Sequence, residues 1–132
     1  MIREGIFHPQ LLRVLGEVRH MDTIVIGDPG LPIPKGVERI DLGWVKGEPP
    51  FHKVLEEILK VMVVEHATFA NEAKAVCPDF LAKSLSMLPE GIEVEYVEHA
   101  ELKRRSADAK AIILTGEFTG YTNVILRLGC AY

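Results

Sequence analysis

The chain is poor in the features that mark most specialised proteins. Among its 132 residues there are only two cysteines, Cys77 and Cys130, far apart in sequence. That spacing supports neither a disulfide framework nor a Cys/His metal cluster, and both are read as buried small hydrophobes in a reducing compartment. There is no excess of positive charge: 15 Lys and Arg face 19 Asp and Glu, a net charge of −4. Phosphate backbones and anionic lipid are therefore poor partners, and neither nucleic acid nor membrane is expected. No apolar run reaches the roughly 18 residues of a membrane span. The opening Met1-Ile2-Arg3-Glu4-Gly5 has charges but no following apolar region, so no secretory signal is expected and a cytoplasmic setting is. Nucleotide-binding glycine patterns, a serine-nucleophile elbow and the H-E-x-x-H zinc motif are all missing. No metal and no cofactor are implied.

What is present is ample apolar material, 48% of residues, in a length suited to one domain spanning 1–132. Leu11, Leu12, Leu15 and Val18 recur at helical spacing between His8 and Arg19. Thr23 to Ile26 is a β-branched run that reads as a buried strand, and Val37 to Leu42 as a second. Pro49-Pro50 opens a helix with apolar residues at 51, 54, 55, 58 and 59. Val61 to Val64 is expected to be the next buried strand. Asn71 to Leu88 reads as helix broken at Pro78, Ile92 to Val97 as a half-buried strand and His99 to Ala107 as a short helix. Ala111–Leu114 and Val124–Leu128 read as strands. This alternation predicts an α/β fold, a single three-layer domain with a largely parallel central sheet.

Ligands of open α/β sheets gather beyond the carboxyl ends of strands. Asp28 follows the Thr23–Ile26 strand and opens Asp28-Pro29-Gly30-Leu31-Pro32-Ile33-Pro34, too rich in proline and glycine for regular structure. Asp28 is either a ligand or the cap of that turn, Pro29 biasing it to extended backbone and Gly30 permitting the bend. His20, placed at the end of the first helix, is either a helix cap or a proton-transfer residue, since imidazole titrates near neutrality. His8, His52 and His66 are assigned surface or core roles. His99 and Lys103 stand four apart and share a helix face, unless Lys103-Arg104-Arg105 is simply a solvated basic patch. In the glycine-bounded loop Gly116–Asn123, Tyr121 and Asn123 offer a hydroxyl and a carboxamide that can hydrogen-bond a polyol, or they serve as turn residues.

The segment His20-Met21-Asp22-Thr23-Ile24-Val25-Ile26-Gly27-Asp28-Pro29-Gly30-Leu31-Pro32-Ile33-Pro34 resembles the signature of the D-ribose pyranases. His99-Ala100-Glu101-Leu102-Lys103, Thr115-Gly116-Glu117 and Tyr121-Thr122-Asn123 match that family's distal motifs in order. The resemblance implies a cofactor-free isomerase of carbohydrate metabolism, acting in ribose catabolism, that interconverts pyranose and furanose D-ribose. It further implies a homo-oligomer, typically a decamer of two stacked pentameric rings, with sites shared between neighbouring subunits. By the same resemblance His20 transfers protons, and Asp28, His99, Lys103, Tyr121, Thr122 and Asn123 hold the sugar. Pro29, Leu102, Gly120 and Thr122 depart from the commoner residues at those places, but no polar group of the motifs is lost. The related L-fucose mutarotases carry a different loop after the Asp, and a non-catalytic sugar-binding module remains a second alternative.

Overall fold

The computed structural model describes all 132 residues. The first helix, α1 (Pro9–Glu17), starts as its sequence dictates: Pro9 occupies the first turn, and His8 caps it by accepting from the Leu11 N–H through Nδ1 at 3.3 Å. Leu11, Val14 and Leu15 form its buried stripe. The helix stops two residues earlier than its apolar periodicity suggests. Arg19 then folds back, donating through Nη1 to the carbonyls of Gly16, Glu17 and Val18. Those are carbonyls a helix end leaves without partners, so Arg19, and not His20, caps α1.

Strands β1 (Thr23–Gly27) and β2 (Glu38–Asp41) follow. Helix α2 (Phe51–Val61) buries Phe51, Val54, Leu55 and Ile58. The strand expected at Val61–Val64 is displaced. Val61 ends α2, Val61 and Val63 are exposed, and β3 runs from Val64 to Ala70. The broken helix is found as α3 (Ala73–Val76) and α4 (Pro78–Met87), then β4 (Glu93–Val97), α5 (His99–Arg105) and a 3-10 turn at Ser106–Asp108. Strands β5 (Ala111–Leu114) and β6 (Val124–Leu128) have the expected bounds.

The six strands form one sheet in the order β2-β5-β1-β6-β3-β4. β2, β5 and β1 are parallel, as are β3 and β4, while β6 lies antiparallel between β1 and β3. A core of 23 residues joins one sheet face to the helices α1 to α4. A smaller cluster packs Val25, Ile112, Leu114 and Ile125 on the other face against Leu102 of α5 and Ala109. The result is the expected three layers and a mostly parallel sheet. Cys77 is buried as expected, but Cys130 is exposed. Leu128, in the apolar C-terminal stretch, belongs to the core, whereas Tyr132 stands free in solvent.

Candidate functional site

The direction of β6 determines what can meet. β1, β3, β4 and β5 end at the same edge of the sheet at which the antiparallel β6 begins. Asp28 after β1, Glu72 after β3, His99 after β4, Thr115 to Glu117 after β5 and Tyr121 to Asn123 before β6 therefore gather there.

Asn123, with no exposed surface, is the hub. Its Oδ1 accepts from the Asp28 N–H at 3.1 Å, and its Nδ2 lies 3.2 Å from His99 Nε2. Because the carbonyl oxygen is held by Asp28, the amide nitrogen is the atom facing the ring. An amide nitrogen only donates, so Nε2 accepts and the proton of the neutral imidazole is assigned to Nδ1. Gly27 makes this arrangement possible: a Cβ there would stand 2.7 Å from Asn123 Oδ1 and 2.7 Å from Leu31.

His99 is held from a second side. Both Glu72 carboxylate oxygens accept from its backbone N–H at 3.0 Å, and the Tyr121 ring meets the imidazole edge-on at 4.9 Å between centroids. Burial is the largest influence on His99 and lowers its pKa; Lys103 lowers it further, against opposing pulls from Glu72 and Asp28. The ring is therefore neutral at pH 7, consistent with its acceptor role. Lys103 reaches this site from the exposed side of α5, while Arg104 and Arg105 do not join it: both pair with Glu101, and Arg105 also with Glu95.

The two readings of Asp28 prove compatible. Its Oδ1 accepts from the Gly30 N–H at 2.9 Å and its carbonyl from the Leu31 N–H, so it does cap the turn. The half-buried carboxylate also lines an open cleft of about 450 Å³ with Pro29, Gly30, Glu117, Phe118, Thr119 and Gly120. Gly30 makes the bend without a positive φ. Tyr121, in contrast, is left-handed at φ 65°, a conformation rare outside glycine and concentrated at functional sites. Thr122 is buried, and its hydroxyl donates to the Thr119 carbonyl at 2.7 Å, so its side chain closes the loop.

His20 is not among these residues. It lies before β1, so the five residues of that strand, roughly 16 Å at 3.3 Å each, separate it from Asp28. There, exposed, its Nε2 stands 3.4 Å from Glu65 Oε1. Within one chain the expected residues thus fall into two groups: Asp28, His99, Lys103, Tyr121 and Asn123 at one end of the sheet, and His20 at the other. Glu72 and Glu65 carry no sequence signal, being two of 19 acidic residues without motif spacing. No group of His, Cys, Asp and Glu is arranged to hold a metal ion.

Full-length similarity bears on this arrangement. The chain is 47% identical over 132 residues to the D-ribose pyranase 1 of Rubrobacter xylanophilus, covering 100% of each chain. It is 40% identical over 129 residues to a D-ribose pyranase of Streptococcus agalactiae, covering 98% of each. Among solved structures, Bacillus subtilis RbsD complexed with D-ribose matches with a TM-score of 0.93 and 42% identity over 100% of both chains. The fucose mutarotase of Streptococcus pneumoniae in complex with L-fucose matches with a TM-score of 0.77 at 24% identity, over 95% of this chain and 94% of that one, a likeness of fold. The model of the RbsD / FucU transport protein family matches residues 1–131, and the chain belongs to that family.

Proposed function

We propose that this protein is a D-ribose pyranase, an isomerase that interconverts the pyranose and furanose forms of D-ribose without a cofactor. The observation that carries the reading is the Asp28–Asn123–His99–Tyr121 cluster at the strand ends, in a chain alike over its whole length to proteins of that name. Ring interconversion removes a proton from the anomeric hydroxyl, delivers one to the ring oxygen, and recloses the aldehyde through another hydroxyl. The protein must grip several hydroxyls at fixed angles and supply a group able to trade protons near neutrality. Asp28 and Tyr121 do the gripping around the buried Asn123, which fixes Asp28 and His99, with neutral His99 offering a donor at Nδ1. Lys103 offsets negative charge that develops on oxygen as the ring opens.

His20 is the proton-transfer residue in this reading, and it completes the site of a neighbouring copy, because its own chain holds it at the far end of β1. A head-to-tail ring of subunits supplies that geometry, and a decamer of two pentameric rings is the assembly proposed. The exposed aromatic surfaces of Phe7, Trp44 and Phe118 support contact between copies. The setting proposed is the cytoplasm, with a role in ribose catabolism.

Saturation-transfer NMR tests the activity directly. Added protein is expected to speed magnetisation transfer between ribopyranose and ribofuranose signals. Ribose signals that shift or broaden without transfer would identify a non-catalytic sugar binder. Faster anomer exchange for L-fucose than ring exchange for ribose would make the protein a fucose-type mutarotase.

A further inference from the structure

The far end of the sheet is built as carefully as the near end. His20 sits in a turn closed by the Asp22 N–H donating to the Arg19 carbonyl and the Arg19 N–H donating to Asp22 Oδ2. Met21 follows it at φ 76°, so Met21 and Tyr121 are the only non-glycine residues with positive φ, one beside each half-site. Such strain of order 1–3 kcal/mol persists only where the surroundings impose it. Here the Met21 N–H is tied to the Leu128 carbonyl at 2.9 Å.

Glu65 faces His20 because of a second irregularity. In the β3–β6 ladder Val64 pairs with Leu128 but His66 pairs with Arg127, which leaves Glu65 as an extra residue in β3. A bulge of this kind re-aims a side chain. Glu65 Oε1 accepts from Arg127 Nε at 3.1 Å and stands 3.4 Å from His20 Nε2. Its other oxygen lies 3.1 Å from where a Cβ on Gly129 would be, so the glycine leaves room for the carboxylate.

We propose that Glu65, pinned by Arg127, is the positioning carboxylate of His20: it holds the Nε2 side of the ring and leaves Nδ1 to trade protons with the sugar. The proposal rests on His20 being the proton-transfer residue. The other charged groups close to His20 are Arg19 and Asp22 of its own turn, with Lys110 reaching Asp22 at 3.8 Å. Glu65 does not touch the sugar in this arrangement; it acts through the ring it orients.

The kinetics of ribose exchange in the assembled protein test this, using the parent, His20→Ala, Glu65→Gln and Arg127→Gln. Glu65→Gln keeps the size of the side chain and removes the carboxylate that holds the ring. It is expected to lower kcat about tenfold with the ribose KM nearly unchanged, because the ring is misplaced while the gripping residues are intact. Arg127→Gln, which unpins the carboxylate, is expected to lower kcat by less, again with the KM of the parent. A merely structural loss would raise KM or disperse the assembly as well. A His20→Ala variant with parental exchange would overturn the role of His20 itself. Loss of exchange in His20→Ala, together with parental kcat in Glu65→Gln, would overturn Glu65 alone. Should Glu65→Gln not assemble, 15N shifts of His20 in the parent still decide. A proton on Nδ1 in the neutral ring, in place of Nε2, contradicts the proposal.

Discussion

At the scale of single residues, the candidate site was legible where chemistry is local and hidden where it depends on long-range contact. Asp28, His99, Tyr121 and Asn123 lie in motifs, and they do converge. Glu72 was invisible because its partner is the His99 N–H, 27 residues away, and no spacing rule links them. The same contacts make a prediction about pH. Burial is the main cause of lowered pKa values at both His99 and His52, the latter packed against Phe51 and Phe80 with Nε2 2.9 Å from Ser84 Oγ. Below the ordinary histidine value of about 6.5 the unfolded chain takes up protons at these rings before the native state does. Their contribution is therefore complete above pH 6.5 and lost as pH falls through the lowered folded values. Glu57 and Glu101, each held near a pKa of about 2 by lysine or arginine partners, act only in a more acidic window. The melting temperature is expected to be lower at pH 5.5 than at 7.5, and less so in a His52→Gln variant. An equal or higher value at pH 5.5 would contradict this account.

At the scale of elements, periodicity served well and hydrophobicity alone did not. α2 was legible because Phe51, Val54, Leu55 and Ile58 repeat on one face, and β5 and β6 because short β-branched runs are bounded by glycine and polar residues. The quartet Val61–Val64 misled because it straddles a helix end and a strand start, with Val61 and Val63 facing solvent. The bulge at Glu65 had no sequence signal, since it is a mismatch with a strand 60 residues later. The buried face of α2 is where element stability concentrates. Leu55 has no exposed surface, so Leu55→Ala is expected to cost about 2–5 kcal/mol, the range for a large cavity in a close-packed core. Because Leu55 lies in the core away from both half-sites, the surviving folded protein should retain its ribose KM. Chemical denaturation and exchange kinetics on the same sample check both statements, and a cost below about 1 kcal/mol would show that the core around α2 collapses freely.

At the scale of the whole molecule, alternating helices and strands made the layers legible but not the insertion of β6 antiparallel between β1 and β3. That insertion brings Asn123 to Asp28 and sends Arg127 to the opposite end with His20. The placement of His20 thus turns a question of mechanism into one of assembly. If each working site combines the Asp28–His99–Asn123 half of one copy with His20 of another, two inactive variants must rescue each other. His20→Ala keeps the gripping half and loses the proton carrier. Asn123→Ala keeps His20 and loses the hub that orients His99. Dissociating the two together and reassembling them at equal amounts should restore about a quarter of parental exchange, the fraction of random head-to-tail contacts that join two intact halves. Mixing without dissociation should restore nothing until subunits exchange. If every site were formed within one chain, no mixed assembly would contain an intact one, and recovery would stay at the level of the separate variants. Titrating one variant against the other separates these cases further, because shared sites give recovery that peaks at equal proportions and falls symmetrically on either side.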